Sequence, residues 1–341
     1  MSLREVLFPL RWMYQGATGF RNWLYDHRLR RIHTVPAKVI SVGNLTVGGT
    51  GKTPVTLALI DLLKEKEYSC GVVSRGYKRA KTGVLNVELG PQAAVEFGDE
   101  PVLIKTVNPE IPVMVGEKKV LAARKLLENR PVKFVICDDG FQHRSLGRDL
   151  NLLLLDATEN MRDYRVLPVG RARESLVPAL KRAAYFVVTK TNIAEGEQLK
   201  DLIYWLKDKS EKPVLLAAYA FIGFHNVAGE KAQSLKDSGF LVSGVAKPET
   251  IEKVIGNHVK ILKHKTFDDH HRYTNLEVEA LIDEASQIGA RWIVTTAKDA
   301  TKLAPFHSLR NRLWIIDMAV QFEGDLKAFY ADVDRLARAD S

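Results

Sequence analysis

A chain of 341 residues that is 46% apolar and 27% charged can bury a large core, which excludes a disordered or fibrous polypeptide and suggests two domains. Lysine plus arginine number 50 against 41 acidic residues, a net charge of +9 that points to an anionic partner: phosphate, nucleic acid or an acidic membrane surface. Cys70 and Cys137 lie in apolar, strand-like runs and read as buried thiols of a reducing cytoplasm, not as a disulfide.

Residues 1–33 carry six arginines, Arg4, Arg11, Arg21, Arg28, Arg30 and Arg31, against Glu5 and Asp26, together with Trp12 and Trp23. Leu3, Leu7, Leu10, Tyr14, Ala17 and Leu24 recur at helical spacing, with Pro9 starting or kinking the helix and Gly16 and Gly19 weakening it. The segment lacks both the apolar core of a secretory signal and the roughly 20 apolar residues of a spanning helix, so it is expected to stay on the protein without crossing a bilayer. Two readings remain open. The helix lies in a membrane interface, with Phe8, Trp12, Phe20 and Trp23 at headgroup depth and arginines on lipid phosphates, or it packs on the body with a solvated basic face.

From "AKVISVGNL" onward, short apolar runs alternate with helical patterns such as "PVTLALIDLLKEK" and "GEKKVLAARKLLEN". This alternation predicts an α/β fold, a mostly parallel sheet with helices on both faces as in P-loop nucleotide hydrolases. "KTGVLNVELG" reads as a strand or hairpin insertion. The run "KPVLLAAYAFIGFHN" breaks the rhythm before a shorter strand and helix series restarts. The expected division is a basic helical segment over 1–33, a nucleotide-binding domain over 34–215, a linker over 216–226 and a smaller α/β domain over 227–341.

"VGGTGKT", Val47 to Thr53, sits between a strand pattern and a helix pattern. The strict phosphate-loop consensus wants a glycine where Thr46 stands. Even so, Gly48, Gly49, Thr50 and Gly51 allow the backbone N–H groups to curl around an anion at a helix N-terminus. Lys52 reaches the outer phosphates, the Thr53 hydroxyl can ligate Mg2+, and Pro54 sits where a first helical turn has spare N–H groups. Dimeric ATPases with related loops place a lysine before the paired glycines; this chain has Val47, which argues against a cross-subunit lysine. Asp138 and Asp139, closing the strand-like "KFVICDD", supply the carboxylates that a phosphate loop needs for magnesium.

Taken with "VVSRGY", "FGDEPVLI", "DDGFQHRSL", "LPVGRARES", "FDDHHRYT" and "TTAKDATKL", in that order and spacing, the sequence resembles the tetraacyldisaccharide 4'-kinase family, the lipid A 4'-kinases, from its N-terminus to about residue 303. The resemblance implies a cytoplasmic enzyme docked on the inner face of the inner membrane. Such an enzyme moves the γ-phosphoryl group of ATP to the 4'-hydroxyl of an acylated glucosamine disaccharide 1-phosphate, in a cleft between two α/β domains joined by a short strand linker. It places the family's base at Asp99 and its partner histidine at His270, with Lys52 and Asp139 completing the catalytic set. A positioned carboxylate that takes the hydroxyl proton, oriented by an imidazole, suits this chemistry. The metal falls to Thr53, Asp138 and Asp139. Arg75, Tyr77, Gln142, His143, Arg173 and Glu174 fall on motifs beside nucleotide and substrate. The family's Arg-Glu pair follows Gly-Pro-Leu, whereas this chain reads "GRARES".

"YFVVTKTN" approaches the guanine-reading motif of GTPases, but Asn192 replaces its aspartate, so ATP is the expected nucleotide, with Lys298 and Asp299 as candidates for contacting the base. Asp268, Asp269, His270 and His271 also offer a local metal cluster, although distant ligands are missing. Two other functions compete with the kinase. A nucleotide-driven switch would share the loop, Asp138 and Asp139 without needing Asp99 and His270. A nucleic-acid binder would use the basic segment, yet no nucleic-acid motif accompanies the charge.

Overall fold

The computed structural model describes residues 8–324 and 326–339. Leu3 and Leu7, the first positions of the N-terminal apolar stripe, lie outside them. Helix α1 spans Phe8–Asp26. Strand β1 (Lys38–Asn44) leads through the glycine-rich loop into α2 (Lys52–Glu65). The apolar runs of the first half become β2 (Cys70–Ser74), β4 (Val113–Val115), β5 (Phe134–Asp138), β6 (Leu150–Asp156) and β7 (Tyr185–Thr189). The short β3 (Leu85–Asn86) pairs antiparallel on the β4 edge, where the sequence suggested an insertion.

The second half contributes β8 (Val214–Asn226), β9 (Lys231–Ala232), β10 (Gly239–Ser243), β11 (Ile261–Thr266), β12 (Trp292–Thr296) and β13 (Leu313–Glu323). All join one sheet in the order β11-β10-β12-β13-β8-β7-β6-β1-β5-β2-β4-β3, with β9 on β8. Apart from the two-residue strands β3 and β9, which pair antiparallel, both halves are parallel within themselves, as strands linked by crossover helices require. They meet where β8, parallel to β7, runs antiparallel to β13. Segment 216–226, expected as a short strand linker, is the greater part of a 13-residue strand, its pairing with β13 continuous from Leu216 to Asn226 apart from one register shift.

The last helix, Lys327–Arg338, returns to the first half. Phe329, Val333 and Ala337 join Leu59, Leu63 and Tyr185 in one buried cluster. β1 and β5, covered on both faces, hold the loop and the paired aspartates at their C-terminal ends, the edge at which parallel α/β sheets bind ligands.

Candidate active site

Gly51 adopts φ 86° and caps α2, and a Cβ there would collide with the Tyr219 hydroxyl. Only glycine fits this turn. Thr46, by contrast, takes the place of a consensus glycine without strain: it bridges Ala172, is 1% exposed, and its hydroxyl donates to Glu159 at 3.0 Å. The incomplete consensus is thus a side chain built into the loop's floor. Lys52 Nζ donates to Asn44 Oδ1 at 3.3 Å and lies 3.7 Å from Asp139.

The paired aspartates have different environments. Asp139 sits at φ 47° and accepts from Arg173 Nη1 at 3.1 and 3.2 Å. Burial alone would raise its carboxyl, but Lys52, Arg173 and Lys119 hold it far below the usual range. Asp138 is fully buried; Ser74 Oγ donates to Oδ2 at 3.0 Å, while Oδ1 finds no donor among the described residues. Burial pushes its pKa up to about 6, and Glu100 and Asp139 push the same way against Lys119 and Lys52. An orphaned oxygen on a buried carboxylate beside a phosphate loop, with the buried Thr53 in the first turn of the helix that follows the loop, is a donor set that fits a hard divalent cation such as magnesium. Among the described residues, no group of three His, Cys, Asp or Glu side chains is arranged to hold a metal by itself, so Asp268, Asp269, His270 and His271 form no such centre.

Asp99 opens the helix Asp99–Val107 and is 5% exposed. His270 Nδ1 stands 2.9 Å from both of its oxygens, and Lys298 and Lys302 lie 3.8 and 3.7 Å away. Burial would raise this carboxyl too, yet the His270 hydrogen bond and the two lysines bring it down to about 2. The pair lines a small cavity with Tyr77, Gly98 and Lys302. Tyr77 packs edge-on against the His270 ring, with centroids 5.2 Å apart. The "SRGY" and "FGDEP" motifs meet backbone to backbone here: a Cβ on Gly76 would lie 2.6 Å from the Phe97 carbonyl oxygen. Asp139, Lys190 and His270 all hold positive φ, at 47°, 60° and 66°, so strained backbone gathers around both parts of the site.

The structure brings Lys52, Asp139, Arg173 and Gln142 together; Gln142 Nε2 donates to the Asn44 carbonyl at 2.9 Å. Arg75 and Tyr77 are exposed, and burial together with Lys119 depresses the His143 pKa to about 3, leaving that ring neutral. Two expectations are corrected. Glu174 is 1% exposed and bonded to Asn22, Arg182 and Gln142, so it anchors α1 instead of facing substrate. Asp299 is fully buried, accepting from the Gly244 N–H and the Thr296 hydroxyl and pairing with Lys302, which leaves it no face for a base. Lys298 belongs with the acidic group, 2.9 Å from Asp269 and 3.7 Å from Glu100. Burial would lower its pKa, but Glu100, Asp99 and Asp269 raise it.

Other groups escaped the sequence reading. Lys119 is 1% exposed and donates to the Asp138 and Asp139 carbonyls, fixing the turn that separates the two acids. Its only sequence signal is a lysine on the apolar stripe of the helix Lys119–Asn129, in register with Ala122, Ala123 and Leu126. Asp156 accepts from Lys190 at 2.6 Å and from Lys247 at 2.8 Å, while Lys190 also donates to the Gly49 carbonyl. Lys247 comes from the second half, so this carboxylate ties both halves to the phosphate loop.

The family model for tetraacyldisaccharide-1-P 4'-kinase matches residues 3–337. A tetraacyldisaccharide 4'-kinase from Bdellovibrio bacteriovorus is 38% identical over 328 residues, covering 94% of this chain and 96% of that one. Another, from Desulfotalea psychrophila, is 35% identical, covering 92% and 95%. The crystal structure of the "apo" form of LpxK from Aquifex aeolicus in complex with ATP superposes with a TM-score of 0.78 at 30% identity, covering 98% of this chain and 99% of that one. Similarity of this extent reaches far beyond a shared nucleotide-binding half, and the chain belongs to the tetraacyldisaccharide-1-P 4'-kinase family.

Proposed function

We propose that this chain transfers the γ-phosphoryl group of ATP to the 4'-hydroxyl of a tetraacyldisaccharide 1-phosphate in lipid A biosynthesis. One observation carries the reading beyond family membership: a buried carboxylate–imidazole pair, 2.9 Å apart, which a nucleotide switch would not need. The "SRGY" segment links the two parts: Ser74 Oγ donates to Asp138 Oδ2 at 3.0 Å, and Gly76 packs on the Phe97 carbonyl, two residues before Asp99. The test is ADP release from ATP with and without acceptor. A kinase releases ADP in step with acceptor consumption, whereas equal release without acceptor would favour the switch.

In this reading the loop N–H groups and Lys52 orient the donor phosphates, and Arg173 with Lys52 offsets charge on the moving group. Asp99 takes the acceptor proton while His270 fixes the carboxylate's direction. Asp138 and Thr53 would hold magnesium, with Asp139 nearby but neutralised by Lys52 and Arg173. A magnesium ion held there would supply positive charge against the phosphate oxygens. Tyr77, which lines the cavity, and the exposed Arg75 two residues before it are placed for the sugar or its 1-phosphate. Residues 34–215 and 227 onward act as two lobes around the cleft, with the final helix returned to the first lobe.

The raised Asp138 pKa has a kinetic consequence. Below about pH 6 the carboxyl is protonated and loses its grip on a cation, so kcat/KM should fall as pH drops through that range. Cation and proton compete for the same oxygens, so raising magnesium should move this acid limb to lower pH. A limb that ignores magnesium concentration would count against Asp138 as the metal group.

Helix α1 supports peripheral docking on the anionic inner face of the inner membrane. One side is pinned to the body by Asn22 to Glu174 at 2.6 Å and Arg144 to Asp26 at 2.6 Å. Trp12, Met13 and Phe20 are 66%, 72% and 62% exposed, amid arginines. No described helix is long and apolar enough to cross a membrane. Changing Trp12 and Phe20 to alanine should weaken partition onto anionic vesicles by about tenfold or more and leave Tm unchanged. Unaltered partition in a vesicle sedimentation assay would leave α1 a structural helix.

A further inference from the structure

The position before the paired glycines is Val47, so the loop brings no cation of its own there. The structure delivers one from 124 residues away: Arg171 Nη2 donates to the Val47 carbonyl at 2.5 Å. The attachment is built at several points. The Val47 N–H donates to the Arg171 carbonyl at 2.9 Å, the Arg171 N–H to the Asp163 carbonyl at 2.8 Å, and Thr46 bridges Ala172. Gly48, at φ 121°, leaves the room this guanidinium occupies, because the first atom its Cβ would meet is Arg171 Nη2. Nη1 lies 3.4 Å from Glu159, a carboxylate 1% exposed at its side chain and held by Thr46. The arginine side chain is itself 35% exposed, so it rests on the rim of the loop with N–H groups to spare.

The Val47 carbonyl needs only one neutral donor, and Thr46 already donates to Glu159, so these contacts do not use up the guanidinium's N–H groups. Its charge and planarity suit phosphate oxygens. We propose that Arg171 is a phosphate-contacting residue acting in cis: with nucleotide bound, its guanidinium engages the outermost phosphate from the Val47–Gly48 side of the loop. Glu159 and the Val47 carbonyl hold the fork in place beforehand, so that little side-chain entropy is lost on binding. This assignment rests on the kinase reading and adds to it a discriminator between ATP and ADP.

The test is equilibrium binding of ATP and ADP, with magnesium, to the wild-type protein, Arg171→Met and Arg171→Lys. Arg171→Met should weaken ATP by about 10- to 100-fold and ADP by less than about threefold. Arg171→Lys, which keeps the charge but not the fork, should fall between. Methylguanidinium added to Arg171→Ala should restore part of the transfer rate, which a brace for the loop would not permit. Equal weakening of ATP and ADP, or no weakening in either variant, would overturn the assignment while leaving the kinase intact. If Arg171→Met is too unstable to assay, an ATP-to-ADP ratio unchanged in Arg171→Lys overturns it equally. Failure of the wild-type protein to bind either nucleotide would remove the kinase reading and this one together.

Discussion

Replacing Asp99 with asparagine is expected to lower kcat by about 10²- to 10⁴-fold while nucleotide affinity changes little. The amide keeps the shape of the carboxylate but cannot take a proton, and its charge no longer answers Lys298 and Lys302, 3.8 and 3.7 Å away. His270→Ala should cost less, because the imidazole aims the carboxylate instead of receiving the proton. With its pKa held near 2, Asp99 is ionised throughout the working range, so the acid limb of the rate profile belongs to another group. Steady-state kinetics beside ATP titrations separate these effects. An Asp99→Asn enzyme of near-normal kcat would remove it as the base.

Lys52→Ala is expected to reduce kcat by about 10²- to 10³-fold, the scale of one preorganised charge lost at a developing anion. A second effect follows from the ion pair. Lys52 is the foremost of the cations holding Asp139 ionised, so without it the Asp139 pKa rises and, among the described residues, Arg173 alone remains within salt-bridge distance. Lys52→Arg should recover part of the rate, less than all of it, because the wider guanidinium must displace the Asn44 contact at 3.3 Å. Isothermal titration with ATP, paired with kcat, distinguishes lost transition-state stabilisation from lost binding.

Much of this site was legible because its signals are local. A strand, a glycine turn and a helix start lie within 15 residues, and Asp138 follows an apolar run that had to be a strand. The alternation of runs and helical stripes led to the parallel sheet in the same way. What escaped depends on residues distant in sequence. Glu174 beside arginine looked like a substrate group, but its partner is Asn22, 152 residues earlier on a helix whose docking no local period encodes. Asp156, Lys190 and Lys247 converge from three separate segments, and Arg171 reaches Val47 across 124 residues. β8 read as a short strand linker because small and aromatic residues interrupt its apolar run, while its pairing with β13, which makes one sheet of both halves, is visible only in three dimensions.

The most direct test is transfer of labelled γ-phosphate from ATP to a tetraacyldisaccharide 1-phosphate in detergent micelles, comparing the wild-type protein with Asp99→Asn and Lys52→Ala. The account predicts labelled bisphosphorylated lipid from the wild-type protein and losses of at least about a hundredfold in both variants. Release of inorganic phosphate alone by the wild-type protein, matched by Asp99→Asn, would contradict it.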